Sequence, residues 1–171
     1  SGYCPGTAAA AAGSGRREGV WAMAGMLAAA TVFVATYPRL KKVLEAEGIP
    51  TEILTLEPRR PNVVARLKGS GKQRPLLIMG HTDVVNVDPK KWTHPPFSAT
   101  RDGGYIYGRG TVDDKDNLVA GLMVMLMLKR QNVPLDRDVI FLAESGEEGS
   151  TRVGIQFITG QHFPKVDAEY C

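Results

Sequence analysis

The sequence is poor in the residues on which several protein classes depend. It has two cysteines, Cys4 and Cys171, near opposite ends of 171 residues, and neither belongs to a CxxC pair. That excludes a disulfide framework and a thiolate metal site, and leaves two unpaired thiols as the simplest reading. An excess of one charge is missing as well: 21 Lys and Arg against 18 Asp and Glu leave a net charge of +3. No basic face with interleaved aromatics stands out, so no nucleic-acid partner is expected. There is no internal repeat. The remaining composition, 43% hydrophobic and 23% charged, suits one soluble globular domain or part of a larger one.

Charge is locally absent too. From Gly19 to Pro38 there is none, and Arg16-Arg17 precedes that stretch. Basic residues before an apolar run suggest a secretory signal or a membrane anchor, but the Ala and Gly content makes the run weakly apolar for a spanning helix. Residues 1–37 therefore read as an Ala-rich leader, whether signal, anchor, soluble helix or disordered segment. A cytoplasmic location is favoured, with secreted, periplasmic or anchored placement open if residues 16–37 are a signal or anchor. Membrane association is not expected of the rest.

From residue 38 the pattern becomes regular. Leu40, Val43, Leu44 and Ala46 fall at helical spacing, with Gly48 as a stop. Strands are expected over 51–56 and 62–67, with Gly69-Ser70-Gly71 as a hairpin-like connection. The apolar runs 75–80 and 138–143 suit central strands covered on both faces. Residues 86–104 form a long connection with a Gly103-Gly104 turn. Residues 117–130 read as a buried helix whose methionines fill core, and a further helix begins at Thr151. The stretch from Val166 to Cys171 reads as the start of another strand. Strands alternating with helices predict an α/β fold: a three-layer α/β/α sandwich on a mainly parallel sheet.

Three acidic clusters follow the apolar runs: Gly80-His81-Thr82-Asp83-Val84-Val85, Gly108-Arg109-Gly110-Thr111-Val112-Asp113-Asp114-Lys115, and Glu144-Ser145-Gly146-Glu147-Glu148-Gly149-Ser150. Ligands of open α/β sheets bind beyond the carboxyl ends of the strands, where His81, Asp83, Glu147 and Glu148 would meet and Asp113 could reach. His81 is a nitrogen donor suited to zinc, and Asp83 two residues on could orient its ring. Alternatively His81 is a hydrogen-bonded structural residue. Asp113-Asp114 is either a ligand pair or a helix cap. Glu147-Glu148 is either a solvated acidic turn or a pair in which one glutamate binds metal and the other takes a proton from water.

Taken together, GHTDVV, Trp92 with Pro96-Phe97, DGGYIYGRGTVDDK and ESGEEGS resemble a zinc-dependent family. It includes acetylornithine deacetylase, succinyl-diaminopimelate desuccinylase, aminoacylase, glutamate carboxypeptidase and carnosinase. The resemblance runs from about Leu40 to Cys171 and implies a dizinc metallohydrolase that cleaves amide bonds of peptides or N-acyl amino acids. By motif, His81 is implied as ligand of one zinc, Asp113 as the bridging carboxylate and Glu148 as ligand of the second. Cobalt or manganese are possible substitutes. Glu147 is implied as general base and acid, and Asp83 as the orienting partner of His81. The Asp113–Asp114 peptide bond is implied to be cis. A non-catalytic metal-binding or interaction module that kept the fold is the alternative, and a dimetal phosphoesterase a third.

The sequence also departs from that family. Residues 1–37 lack its Pro-Gly-rich turn, and Asp116-Asn117 stands where a Gly pair is usual. The family's next acidic ligand and distant histidine are not matched by Asp167, Glu169, His94 or His162. Its smaller dimerisation domain, which would imply a homodimeric parent, is absent. The expectation is the N-terminal portion of a catalytic domain over 38–171, weakly active or inactive alone.

Overall fold

In a computed structural model of the chain, residues 40–171 are described; the leader read over 1–37 and Cys4 lie outside them. Residues 40–46 are helical and end at Gly48, whose φ of +69° is open to glycine without strain. Strands β1 (Thr51–Glu57) and β2 (Arg60–Leu67) follow, joined by a tight turn and therefore antiparallel. Strand β3 (Leu76–His81) leads into a long connection with a 3-10 turn at Pro89–Lys91 and a small hairpin of β4 (Thr100–Asp102) and β5 (Tyr105–Tyr107). Gly103 and Gly104 have φ of 56° and 83°, the left-handed pair of a two-residue hairpin turn. Helix α1 (Lys115–Arg130), strand β6 (Val139–Glu144), helix α2 (Ile155–Gln161) and a 3-10 turn at Phe163–Lys165 complete the order.

The four-stranded sheet runs β1-β2-β6-β3. Every residue of β6 is buried, so the strand needs both edges paired and both faces covered. It pairs antiparallel with β2 and parallel with β3, the latter after crossing over through α1. Two expectations change here. Gly69-Ser70-Gly71 does not close a hairpin, because β6 occupies the slot between β2 and β3. The sheet is mixed rather than mainly parallel, with β3–β6 as the parallel ladder among the described strands. At the far edge, Leu77 N–H donates to the Tyr170 carbonyl at 2.9 Å and Tyr170 bridges Leu76, so the residues before Cys171 do run beside β3.

Side chains alternate with period two between the layers. Val63, Ala65, Leu67, Val139, Phe141 and Ala143 face α1 and the 40–46 helix, packing with Leu44, Ile49, Met125 and Leu126. Leu54, Val64, Leu77, Ile140 and Leu142 face α2, packing with Phe157, Ile158 and Val166. Fully burying such a side chain is worth about 1.5–3 kcal/mol. Gly121 lets α1 approach the sheet: a Cβ there would lie 2.8 Å from Ile78 Cγ2 and 3.3 Å from Phe141. Helix α1 is buried on one face only. Met125 is core as expected, whereas Met123 and Met127 are exposed, with Val119 and Val124 beside them. Among the described residues no helix is long and apolar enough to cross a membrane.

Candidate metal centre

The parallel ladder ends with His81 opposite Glu144, so the two strands deliver their C-terminal loops to the same edge of the sheet. Helix α1 is pinned to that edge at its first turn. The Asp113–Asp114 peptide bond is cis. Asp114 occupies the N-cap position without capping the helix through its side chain. Its carboxylate instead accepts the His81 backbone N–H at 3.0 Å and the Asn117 amide at 2.6 Å. Lys115 Nζ donates to the Thr82 carbonyl at 2.8 Å, a second bolt between α1 and β3. Gly80 makes room for this arrangement, since a Cβ there would stand 2.6 Å from the Asp114 carboxylate.

His81 is 8% exposed, and its two ring nitrogens face different partners. Nδ1 lies 3.0 Å from the Asp83 backbone carbonyl, which only accepts, so Nδ1 carries the proton. Nε2 then presents its lone pair to Asp113 Oδ1 at 2.9 Å. Two acceptors at that distance repel unless a proton or a cation sits on the imidazole side. Burial opposes protonation of His81, but the Asp83 carbonyl, the Asp113 carboxylate and the charges of Asp83 and Asp114 outweigh it and raise its pKa.

Glu147 and Glu148 reach the same space: one donor atom from each, with one from His81, lie within 4.8 Å of one another. Burial, followed by the charge and hydrogen bond of Asp113 and the charge of Glu147, raises the Glu148 pKa. Crowded acceptors of this kind are a donor set for a hard or borderline cation. The residues present thus fit a metal ion, as one nitrogen and several carboxylate oxygens.

Asp83 is placed differently from the sequence expectation. It meets the imidazole through its backbone carbonyl, while its carboxylate Oδ1 is 3.6 Å from Nδ1. That carboxylate accepts the backbone N–H of Glu147 at 3.1 Å and of Glu148 at 3.0 Å. Asp83 therefore orients both sides of the site. Sequence reasoning missed Asn62, which is fully buried on β2. Its amide donates to the Leu54 and Val153 carbonyls at 3.2 and 2.9 Å, and its carbonyl accepts the Ser145 N–H at 3.0 Å. An amide residue directly before the apolar run Val63-Val64-Ala65 of β2 was the available signal. Glu144 was also passed over. It is 3% exposed, and burial together with the Asp83 charge raises its pKa.

The other acidic and imidazole candidates lie elsewhere. Asp167 pairs with Arg74 and Glu169 with Arg137, at the opposite end of β3 from His81, roughly 16 Å along the strand. His94 packs against the Tyr107 ring at a tilt, and His162 meets Phe157 edge to face.

The model of peptidase family M20/M25/M40 matches residues 77–171, which span the β3–β6 ladder and all three clusters. The chain belongs to this family. A probable succinyl-diaminopimelate desuccinylase of Staphylococcus aureus is 39% identical over 111 residues, 64% of this chain and 27% of that protein. A deformylase of Halalkalibacterium halodurans that acts on N-formyl-4-amino-5-aminomethyl-2-methylpyrimidine is 41% identical over 112 residues, 64% of this chain and 26% of that one. An M20 family metallo-carboxypeptidase from Sulfolobus solfataricus superimposes with a TM-score of 0.68 at 31% identity, over 80% of this chain and 31% of that one. The chain thus spans about a quarter of the length of these curated relatives, and the α/β fold is that of the family.

Proposed function

We propose that this M20 chain carries the catalytic half of a dizinc site that hydrolyses amide bonds of small peptides or N-acyl amino acids. The observation that carries the reading is the convergence of His81 Nε2, 2.9 Å from Asp113 Oδ1, with Glu147 and Glu148, one nitrogen and several carboxylate oxygens in one space. His81 would hold one ion, Asp113 would bridge and Glu148 would hold the second, with cobalt or manganese as substitutes for zinc. When bound, the ions supply Lewis acidity to the scissile carbonyl and lower the pKa of the attacking water. The relatives' names, a desuccinylase, a deformylase and a metallo-carboxypeptidase, favour amide substrates over phosphoesters.

The chain's own residues do the rest. Nδ1–H to the Asp83 carbonyl fixes the tautomer that leaves Nε2 free as a donor. Glu147 stands exposed on a loop whose amides the Asp83 carboxylate holds. From there it takes a proton from the attacking water and returns it to the leaving nitrogen. Among the described residues the donors grouped at the site are too few to close two tetrahedral ions, and slow turnover is the expectation that follows.

A panel of dipeptides, N-succinyl and N-acetyl amino acids and phosphomonoesters, run with the chain at stoichiometric concentration and with added zinc, tests this. The account expects slow zinc-dependent amide cleavage that Glu147→Gln abolishes while zinc binding persists. Phosphoester cleavage, or amide cleavage indifferent to Glu147→Gln, contradicts it. Fast turnover contradicts the incomplete donor set.

A further inference from the structure

We infer that Arg60 is a positioning residue for the Glu147–Glu148 loop, acting through Ser145 and Asp83. This rests on the proposed roles of Glu147 and Glu148. Arg60 begins β2, and its Nη1 donates to the Ser145 backbone carbonyl at 3.0 Å. The same nitrogen lies 3.8 Å from Asp83 Oδ2. Asp83 in turn accepts the amides of Glu147 and Glu148 at 3.1 and 3.0 Å. Two residues along β2, Asn62 accepts the N–H of Ser145 at 3.0 Å. Strand β2 thus grips Ser145 by its N–H and its carbonyl, at the point where the chain leaves β6 for the acidic loop.

Charge explains why the residue is an arginine. Asp83, Glu144, Glu147 and Glu148 converge on one loop, and the Arg60 guanidinium stands against the carboxylate that holds the loop's amides. A partly exposed ion pair alone contributes little. The bond to the Ser145 carbonyl supplies the geometry, and the guanidinium charge 3.8 Å from Asp83 Oδ2 helps aim that carboxylate at the loop's amides. Arg60 touches neither reacting atoms nor the donor set, so its effect reaches the chemistry only through loop position.

Amide exchange on the metal-free 171-residue chain measures that position directly. In Arg60→Ala, solvent exchange of the Glu147 and Glu148 amides by NMR is expected to rise about tenfold, the factor of one ordinary charge-assisted hydrogen bond. The Ile140–Leu142 amides of β6 should not change. Zinc affinity by titration calorimetry should fall in parallel, and Arg60→Lys should recover most of both. Unchanged Glu147 and Glu148 exchange in folded Arg60→Ala overturns the inference. So does a uniform rise along β6 that Lys does not rescue, which marks a merely structural role. Should the alanine variant not fold, Arg60→Gln, which keeps a donor without charge, is read on the same amides: intermediate protection is expected, and wild-type protection overturns the charge argument. A wild-type chain that binds no zinc would contradict the dizinc reading, and the exchange data would still decide the role of Arg60.

Discussion

At the residue scale the site is governed by what His81 faces. Asp113 and Asp83 raise its pKa against the opposing effect of burial. A group with a raised folded pKa contributes stability that is complete below its unfolded pKa, about 6.5, and is lost as pH rises through the higher folded value. In the metal-free chain this increment is therefore present in mildly acidic solution and disappears on going basic. Asp113→Asn should lower the His81 titration midpoint, read from its ring proton shifts, towards 6.5, while Asp167→Asn should leave it in place. The residues gathered at this edge of the sheet were legible because they cluster in short motifs after apolar runs. The detailed job of Asp83 was not. Two residues of spacing put its carboxylate near the imidazole, but no local pattern shows that amides 64 and 65 positions away compete for the same oxygens and leave the ring to the backbone carbonyl.

At the element scale the site stands on the β3–β6 ladder and on two clasps that hold neighbours to it. Asn62 joins β1, β2 and the loops at Ser145 and Val153 from inside the core. Asn62→Ala would leave buried carbonyls and an N–H without that partner, and should cost about 2–4 kcal/mol in urea denaturation. Gly80→Ala would drive a Cβ into the Asp114 carboxylate. It should loosen the start of α1 and weaken zinc binding with a smaller loss of stability, seen by comparing calorimetry with melting temperature. Strand positions were readable from their apolar runs, Val63-Val64-Ala65 in β2 and Val139 to Ala143 in β6. Their neighbours were not. A Gly-rich link looks the same whether it closes a hairpin or leads past a slot that β6 fills some 70 residues later. The three-residue strands β4 and β5 are too short to show a period; only their glycine turn was visible.

At the scale of the whole molecule, the sheet carries the donor set at one end and an ionic clasp at the other. Burial would raise the Asp138 pKa, but Lys68, the Gly69 amide and Arg66 outweigh it and lower it to about 2. Because this folded pKa is depressed, its contribution is complete above the unfolded value near 4 and is lost as pH falls towards 2. The increment is about 2 kcal/mol, and Asp138→Asn should remove it at neutral pH while flattening the acid limb of the stability profile. The layered α/β fold was legible from alternating strands and helices, whereas the mixed sheet direction and the open outer face of α1 depend on contacts no local window contains.

The most direct test of the central claim is zinc titration of the chain by calorimetry at neutral pH. The account predicts saturable binding that His81→Ala and Glu148→Gln each weaken by at least tenfold, the equivalent of about 1.4 kcal/mol or more for a lost ligand. Glu147→Gln should leave it nearly intact. Binding that is absent, or that survives loss of His81 and Glu148 unchanged, would contradict the assignment of these residues as the metal centre.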